Sequence, residues 1–294
     1  MTAIARVGVV AKSGLEAAAG VLADLAAWLE ARGIEPVLEA ETARLARAPS
    51  RWRTASRDDL ARHVDLVVVL GGDGTLLGMA GRIALAGADI PILGVNYGSL
   101  GFLTEIALPE LEASLQSVLD GTAALDERLM LGGRVLRGPE VRADRVALND
   151  IVISRGALSR IVDLAIWVGD EFVTRVKGDG LIVASPTGST AYNLAAGGPI
   201  VHYAVDAMVL TPIAPHTLTN RPVVIPASAE VRVQATRENG GEEVVVTFDG
   251  QLRVTLDETD VVCIRRAERP LRLVRATART YFEVLREKLK WGQR

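Results

Sequence analysis

A strand, a glycine turn and a helix follow one another at residues 65–85, and this unit constrains the fold more than any other stretch of the chain. Residues 65–70 (DLVVVL) form an apolar run of strand length, and residues 75–85 carry apolar side chains at helical spacing. The same alternation extends over the first 120 residues, which predicts a parallel sheet with helices on both faces. The other predicted strands are 4–10, 34–38 and 90–96, the other predicted helices are 15–32, 58–63 and 109–120, and residues 42–53 are predicted to form a surface loop.

The pattern of the chain changes after residue 124. Residues 125–274 contain many short apolar runs with Gly, Pro or Asp at their ends and one clear helical candidate, at 189–196. Such a pattern is typical of a β-sandwich or a related all-β domain. Helical spacing returns at residues 278–291. We therefore predict an α/β domain over 1–124, a β-rich, sandwich-like domain over 125–274, and a final segment, 275–294, whose helix packs back on the first domain.

Composition and charge exclude several classes of function. The 294 residues include 33 basic and 36 acidic side chains, so there is no general attraction to nucleic acid or to an anionic membrane. The single cysteine, Cys263, excludes an intrachain disulfide, and no apolar run reaches the roughly 18 residues that a membrane span requires. The three histidines lie far apart and show no zinc-binding spacing, so no metal ligands are predicted. We expect a cytoplasmic protein.

The glycine turn GGDGT, residues 71–75, lies between the predicted strand and helix. Ligands of open α/β sheets bind at the carboxyl ends of strands, and a helix N-terminus offers free N–H groups to an anion. We predict that a nucleotide phosphate is held by Gly71, Gly72, Gly74 and Thr75. The spacing matches neither the Walker A loop nor the Rossmann fingerprint. Two roles stay open for Asp73: it caps the helix in a structural turn, or it is a general base for a hydroxyl that attacks a phosphate.

A second glycine-rich segment, residues 177–201 (KGDGLIVASPTGSTAYNLAAGGPIV), is unusually dense in small and polar side chains. Small residues leave room for a flat ligand and polar groups direct hydrogen bonds, although a helix N-cap in a loop-rich domain is the alternative. Asn149 and Asp150 begin another predicted strand. Adjacent strand residues point to opposite faces, so both contact one ligand only where the backbone is irregular; otherwise they only begin the strand. Residues 96–105 (NYGSLGFLTE) follow a strand, a position that suits the wall of a ligand site.

Taken in order, these motifs resemble the NAD kinase family. The shared stretches are GGDGT, NYGSLGFL, LND, GDGLIVASPTGSTAYNLAAGGPIV, APHTLTNRPVVIP, FDGQL and the final YFEVLREKLKWG. The resemblance implies transfer of the γ-phosphoryl group of ATP to the 2′-hydroxyl of the adenosine ribose of NAD, which yields NADP. It also implies a nucleotide-binding first domain, an NAD-binding second domain, a homodimer or homotetramer, and a divalent cation, usually Mg²⁺, delivered with ATP.

The resemblance also assigns individual site residues. Asp73 corresponds to the family's proton acceptor for the 2′-hydroxyl, Gly74 to a residue beside bound NAD, and Asn149 and Asp150 to an Asn-Glu pair that contacts the adenosine portion. The other implied NAD-binding residues are Arg160, Lys177, Asp179, Thr190, Ala191, Tyr192, Asn193, Leu194, Ala195 and Gln251. Two positions depart from the family pattern. Asp150 is one methylene shorter than the usual Glu, which a bridging water could compensate, and Lys177 lacks the planar fork of the usual Arg.

Two other functions share part of this pattern. A lipid kinase also has GGDGT and two domains, but it should present a membrane-facing apolar or basic surface and has no use for residues 186–199 (PTGSTAYNLAAGGP). A non-catalytic NAD sensor would keep the NAD-binding residues, but its sequence would be free to change at Asp73, and the acid is present here. NAD kinase is therefore the predicted function, with these two as alternatives.

Overall fold

The computed structural model describes residues 4–98, 100–156, 161–236, 243–275 and 279–292. The chain divides into two compact units. The first unit contains Met1–Glu127 and Leu271–Arg294, and the second unit contains Arg128–Pro270. Strands and helices are numbered along the whole chain, and each unit is described by itself.

The first unit is built on a largely parallel sheet. Its strands are β1 (Arg6–Ala11), β2 (Glu35–Glu39), β3 (Arg53–Ala55), β4 (Leu66–Gly71), β5 (Pro91–Asn96), β6 (Ile106–Ala107), β7 (Ala124–Arg128) and β20 (Leu271–Arg275). Its helices are α1 (Ala19–Glu30), α2 (Ala40–Leu45), α3 (Asp73–Leu85), α4 (Leu111–Leu119) and α6 (Tyr281–Leu289). The strand order is β3-β2-β1-β4-β5-β20-β7, with β6 beside β5. The pairs from β3 to β20 run parallel.

The order of the strands determines where in the sheet the glycine turn lies. The chain proceeds from β1 outward to β3 on one side, and from β4 to β5 on the other. The carboxyl ends of β1 and β4 therefore flank the point where the direction of winding reverses, and open α/β sheets bind their ligands in the crevice outside this point. The segment Gly71–Thr75 leaves β4 at this crevice.

Helices cover both faces of this sheet, as the sequence predicts. Leu93 of β5 lies in a core cluster with Leu22 of α1 and Leu115 of α4. The next residue of β5, Gly94, faces the other side, where a Cβ atom would lie 2.6 Å from Leu76 of α3. Because the strands are buried on both sides, their apolar residues form continuous runs instead of alternating with polar ones.

Several predicted elements differ from the structure. The prediction of a surface loop at 42–53 is wrong, because this segment contains most of α2 and the start of β3. The Glu39 carboxylate accepts hydrogen bonds from the N–H and the hydroxyl of Thr42, both at 2.9 Å, and so caps α2. Glutamate is an uncommon cap, which hides this helix in the sequence. The helix predicted at 58–63 is only a 3₁₀ turn at Leu60–Arg62.

The second unit is a β-sandwich, which confirms the predicted fold class. Its strands are β8 (Leu131–Arg137), β9 (Glu140–Ala147), β10 (Asp150–Arg155), β11 (Val162–Val168), β12 (Glu171–Gly178), β13 (Gly180–Ala184), β14 (Ala207–Ile213), β15 (Val223–Pro226), β16 (Val231–Thr236), β17 (Val244–Phe248), β18 (Leu252–Leu256) and β19 (Asp260–Arg266). The two six-stranded sheets have the orders β15-β14-β13-β10-β17-β18 and β12-β11-β16-β19-β8-β9. Ile151 and Phe248 from one sheet share a single core with Val135 and Ile264 from the other.

The helix predicted at 189–196 is shorter than expected. It consists of a 3₁₀ turn at Thr187–Thr190 and the four-residue helix α5 (Tyr192–Ala195), separated by Ala191. The ψ of -129° at Ala191 lies far from the helical value and interrupts helical geometry between the two. The segment therefore turns twice within nine residues, Thr187–Ala195, instead of continuing in one direction.

The final helix, α6, belongs to the first unit, as predicted. Its first turn is held by a capping box, in which the Thr280 N–H donates to the Glu283 carboxylate at 2.6 Å and the Glu283 N–H donates to Thr280 Oγ1 at 3.3 Å. The Lys288 ammonium donates to the Leu100 carbonyl at 2.7 Å, which ties the helix to the loop after β5. No helix in the described ranges is both long and apolar enough to cross a membrane.

Two neighbouring glycines of β8 test the packing between the sheets. A Cβ atom at Gly133 would lie 2.7 Å from Ile151 and 2.8 Å from Phe248, whereas a Cβ at Gly132 would meet nothing closer than 3.8 Å. We expect Gly133→Ala to lower the free energy of unfolding by about 2 kcal/mol, and Gly132→Ala to change it by less than about 0.5 kcal/mol. Urea unfolding followed by circular dichroism measures both, and equal effects of the two variants would contradict this packing.

Candidate active site

The glycine turn after β4 is shaped by close backbone approach at Gly71. The N–H of Lys12, just beyond β1, donates to the Leu70 carbonyl at 2.9 Å. A Cβ atom on Gly71 would lie 2.9 Å from Thr75 Oγ1 and 3.1 Å from Lys12 Cβ, so a larger residue does not fit here. The next glycines, Gly72 and Gly74, are exposed, and a Cβ at either would meet nothing within 4 Å. Their open backbone at the start of α3 suits the close approach of a phosphate.

The Asp73 carboxylate binds the loop that follows β5. Its Oδ2 atom accepts a hydrogen bond from the Phe102 N–H at 2.9 Å. Its Oδ1 atom accepts from the Leu103 N–H at 3.1 Å and from both the N–H and the hydroxyl of Thr104 at 3.0 Å. A Cβ atom at Gly101 would lie 2.1 Å from Oδ1, so glycine is required beside this carboxylate.

The start of α3 excludes one of the two roles that the sequence left open for Asp73. Gly72, and not Asp73, is the N-cap of α3, and no side chain caps it; Asp73 is the first helical residue. The helix-cap alternative is therefore wrong. Among the described residues, Oδ1 accepts three hydrogen bonds and Oδ2 accepts one, which leaves an acceptor position on Oδ2 of this half-buried side chain. A carboxylate oxygen held in this way can receive the proton of a hydroxyl group.

The second cluster of predicted residues lies at the start of β10. The backbone of Leu148, Asn149 and Asp150 is bound from two sides. The Asp249 carboxylate accepts their three N–H groups at 2.8, 2.7 and 3.1 Å. On the other side, the Ser185 N–H donates to the Asn149 carbonyl at 2.8 Å, and the Ser185 hydroxyl donates to the Leu148 carbonyl. We call residues 148–150 the Asn-Asp corner.

The backbone bends at the Asn-Asp corner just before β10 begins. Asn149 lies just outside β10 and is half-buried, whereas Asp150 is its first residue and is 6% exposed. Sequence reasoning missed Asp249, although the pair Asp249-Gly250 is a frequent hairpin turn signal. Both residues of this pair have positive φ angles, 50° and 65°. The turn places Asp249 against a segment about a hundred residues earlier in the chain.

The carboxyl group of Asp150 and that of Asp249, which binds the corner, repel each other when both are charged. Burial, and then the negative charge of Asp249, raise the pKa of Asp150 to about 7. Burial also raises the pKa of Asp249, but its three backbone hydrogen bonds act in the opposite direction. The backbone hydrogen bonds therefore favour the charged form of Asp249, whereas Asp150, with a pKa of about 7, changes protonation near neutral pH.

The glycine-rich segment after β13 is anchored by the buried side chain of Asn193. Its amide N–H groups donate to the Ser189 carbonyl at 2.9 Å and the Pro199 carbonyl at 3.0 Å, and its oxygen accepts from the Thr211 hydroxyl at 2.6 Å. A Cβ atom at Gly198 would lie 2.1 Å from this oxygen. Both amide donors of Asn193 are thus used inside the protein, so any donor that this residue offers to a ligand is its backbone.

The other predicted residues of this segment differ in accessibility. Thr190, Ala191 and Leu194 are partly exposed, and Tyr192 and Ala195 are exposed. Gly188 packs directly on the Asn-Asp corner, since a Cβ atom there would lie 2.0 Å from the Asn149 carbonyl oxygen. The structure therefore packs the segment directly against the Asn-Asp corner within the second unit.

Asp179 lies just before β13, and Lys177 lies near the end of β12 in the other sheet. The Asp179 carboxylate accepts from the Arg155 guanidinium at 2.9 Å, and Arg155 is the last residue of β10, whereas Asp150 is its first. The Lys177 ammonium lies 3.5 Å from the buried carboxylate of Asp163. At a rise of about 3.4 Å per residue, the two ends of β10 are about 17 Å apart. One ligand contacts both ends only if it is elongated.

The remaining predictions concern Gln251, Arg160 and metal ligands. Gln251 is exposed in the turn that contains Asp249. Arg160 lies outside the described residues. Within those residues, no group of three or more His, Cys, Asp or Glu side chains is placed to hold a metal ion.

Asp150→Asn is expected to stabilise the protein more at pH 8 than at pH 5. At pH 5 the folded protein keeps Asp150 protonated and at pH 8 it does not, because the pKa is raised to about 7; the unfolded chain is ionised at both. Stability contributed by a raised pKa is lost as pH rises through that value. The gain from Asn should therefore be about 2 kcal/mol larger at pH 8, measured by urea unfolding.

The matched control is Asp170→Asn, which changes an exposed carboxylate in another hairpin turn. It should show no such difference between the two pH values. A gain from Asp150→Asn that is equal at pH 5 and pH 8 would contradict the raised pKa.

Two family models together match most of the chain. The ATP-NAD kinase N-terminal domain matches residues 7–123, and the ATP-NAD kinase C-terminal domain matches residues 148–276. NAD kinase of Geotalea daltonii is 48% identical over 275 residues, which cover 94% of each chain. NAD kinase of Syntrophotalea carbinolica is 45% identical over 289 residues, 98% of this chain and 99% of its own.

Solved structures give the same result. A crystal structure of yeast NADH kinase complexed with NADH has a TM-score of 0.89 and 26% identity, and the match covers 100% of this chain and 90% of that one. An NAD kinase from Archaeoglobus fulgidus in complex with ATP has a TM-score of 0.75 and 26% identity, over 97% of this chain and 98% of that one. Sequence and structure agree across both units: the chain belongs to the NAD kinase family.

Proposed function

We propose that this protein transfers the γ-phosphoryl group of ATP to the 2′-hydroxyl of the adenosine ribose of NAD, with Asp73 as the proton acceptor. The observation that carries the proposal is the Asp73 carboxylate, held by four donors in a glycine turn at the carboxyl end of β4, with an acceptor position open on Oδ2. The yeast relative complexed with NADH and the archaeal relative in complex with ATP support the two substrates.

The chemistry needs little from the protein beyond position and charge. The 2′-hydroxyl donates a hydrogen bond to Asp73 Oδ2. As its oxygen forms a bond to the γ-phosphorus, the bond from that phosphorus to the bridging oxygen of the β-phosphate breaks. ADP leaves, and the hydroxyl proton passes to Oδ2. The donors of residues 102–104 keep the carboxylate in one orientation, so it is aligned before the substrate arrives.

The phosphoryl donor is assigned to the glycine turn. Gly71, Gly72, Gly74 and Thr75 surround the N-terminus of α3, where an exposed glycine backbone admits phosphate oxygens. The divalent cation, Mg²⁺ in this proposal, would enter as part of the Mg·ATP substrate, as the family resemblance implies. There it neutralises phosphate charge that the turn itself does not neutralise.

NAD is assigned to the second unit. The Asn-Asp corner would contact the adenosine portion, Asp179 lies at the far end of β10, and Lys177 lies two residues before Asp179 on β12. A dinucleotide is elongated, as a ligand of both ends must be. Asp150 accepts a hydrogen bond from a ribose hydroxyl, directly or through a water, best in its charged form. The raised pKa of Asp150 therefore favours NAD binding above neutral pH.

We also infer a cytoplasmic homodimer or homotetramer from the family resemblance.

Asp73→Asn should abolish turnover while leaving the fold intact. Asparagine keeps the size and one acceptor oxygen but cannot take up the proton, so kcat for NADP formation from NAD and Mg·ATP should fall at least about a hundredfold. Near-normal turnover of a folded variant would show that Asp73 is not the base. If wild type also forms no NADP but binds NAD in calorimetry, the sensor alternative is correct, and activity on diacylglycerol would instead indicate a lipid kinase.

Two glycines in the loop after β5 allow the orientation of Asp73 to be tested without a substitution of Asp73 itself. A Cβ at Gly101 would displace Asp73 Oδ1, whereas a Cβ at Gly98 meets nothing within 4 Å. We expect Gly101→Ala to lower kcat about tenfold to a hundredfold. Gly98→Ala should retain the kcat of wild type. Steady-state kinetics with circular dichroism as a folding control measures this, and equal kcat values for the two variants would refute the orienting role of the loop.

A further inference from the structure

Asp249 has contacts that a hairpin turn does not need. A two-residue turn with positive φ angles accepts Asn or Gly as readily as Asp. The Asp249 carboxylate, however, is turned away from its own hairpin and accepts the N–H groups of three successive residues, 148–150. Its own N–H donates to the Asp150 carbonyl at 3.0 Å, so the two segments are joined in both directions.

These contacts give the backbone N–H and carbonyl groups of the Asn-Asp corner hydrogen-bond partners within the protein. Asp249 accepts its three N–H groups, and Ser185 donates to two of its carbonyl groups, those of Leu148 and Asn149. With the backbone polar groups bound internally, the side chains of Asn149 and Asp150 are the groups that the corner offers to a ligand. Loss of one side of this arrangement would let the corner move and would leave buried N–H groups without acceptors.

We infer that Asp249 is a positioning residue for NAD: its carboxylate holds the Asn-Asp corner in the conformation that binds the dinucleotide. The inference rests on the proposed function, because it assumes that Asn149 and Asp150 contact NAD. Asp249 acts through the backbone of these residues and has no assigned contact with substrate. Its charge has a second effect, since it disfavours the charged form of Asp150. The same carboxylate therefore fixes the conformation of the corner and shifts the ionisation of Asp150 to higher pH.

The decisive variant is Asp249→Asn. Asparagine tolerates the positive φ of 50° and keeps one acceptor oxygen, but its amide nitrogen cannot accept the N–H groups bound by the second oxygen. We expect the KM for NAD to rise about tenfold, with the KM for ATP and kcat changed less than about threefold. The acid limb of the pH profile of kcat/KM for NAD should also move to lower pH, because the charge that raises the Asp150 pKa is removed.

The control is Asp170→Asn, the same substitution in the exposed turn between β11 and β12, which should change none of these values. If Asp249→Asn lowers stability but leaves the KM for NAD and the acid limb unchanged, Asp249 is a structural turn residue and the inference is overturned. If the variant does not fold, Ser185→Ala releases the corner from the other side. It should raise the KM for NAD in the same selective way, and an unchanged KM overturns the inference.

Calorimetric titration with NAD separates this inference from the proposed function. Wild type that binds NAD but forms no NADP contradicts the proposed function only, and tighter NAD binding by wild type than by Asp249→Asn then still supports positioning. Wild type that forms NADP while both proteins bind NAD equally contradicts positioning only. Wild type that neither binds NAD nor forms NADP overturns both.

Discussion

Backbone N–H groups bound by an aspartate carboxylate organise the functional part of each unit. Asp73 accepts the N–H groups of residues 102–104, and Asp249 accepts those of residues 148–150. Three successive N–H groups converge on one anion only if the loop that carries them is tightly curved, so each carboxylate also fixes the shape of a loop. Loops at strand ends are usually the least ordered part of a fold, and here hydrogen bonds to a carboxylate hold each loop in one conformation.

The same interaction has different consequences in the two places. Asp73 is half-buried and keeps an acceptor position on Oδ2, so its hydrogen bonds align a group that remains available for chemistry. Asp249 contacts the backbone of Asp150, and its charge there raises the pKa of the neighbouring carboxyl. At Asp73 the proposed chemistry uses the orientation of the carboxylate itself, whereas at Asp249 it uses the shape of the loop that the carboxylate binds. A protein that must align two substrates for phosphoryl transfer needs both kinds of order.

Close packing around these anchors explains why particular glycines occur. A Cβ atom would lie 2.1 Å from Asp73 Oδ1 at Gly101 and 2.0 Å from the Asn149 carbonyl oxygen at Gly188. Gly72 and Gly74 are different, because a Cβ would meet nothing within 4 Å, and no positive φ requires glycine at either. The need for glycine at these two positions therefore does not come from the packing of the protein itself, which is consistent with a backbone kept bare for a ligand.

The sequence by itself determined the features that depend on local periodicity. Continuous apolar runs such as residues 65–70 specify strands buried on both faces, alternating short runs specify the sandwich, and ordered motifs identify the family. Only the tertiary structure decided what the polar side chains bind. The Asp73 carboxylate pairs with residues about thirty positions later, Asp249 with residues about a hundred positions earlier, and the Asn193 side chain with Ser189, Pro199 and, on β14, Thr211. Hydrogen bonds between distant segments leave no periodic trace, so the sequence predicts which residues carry the chemistry but not which residues hold them in place.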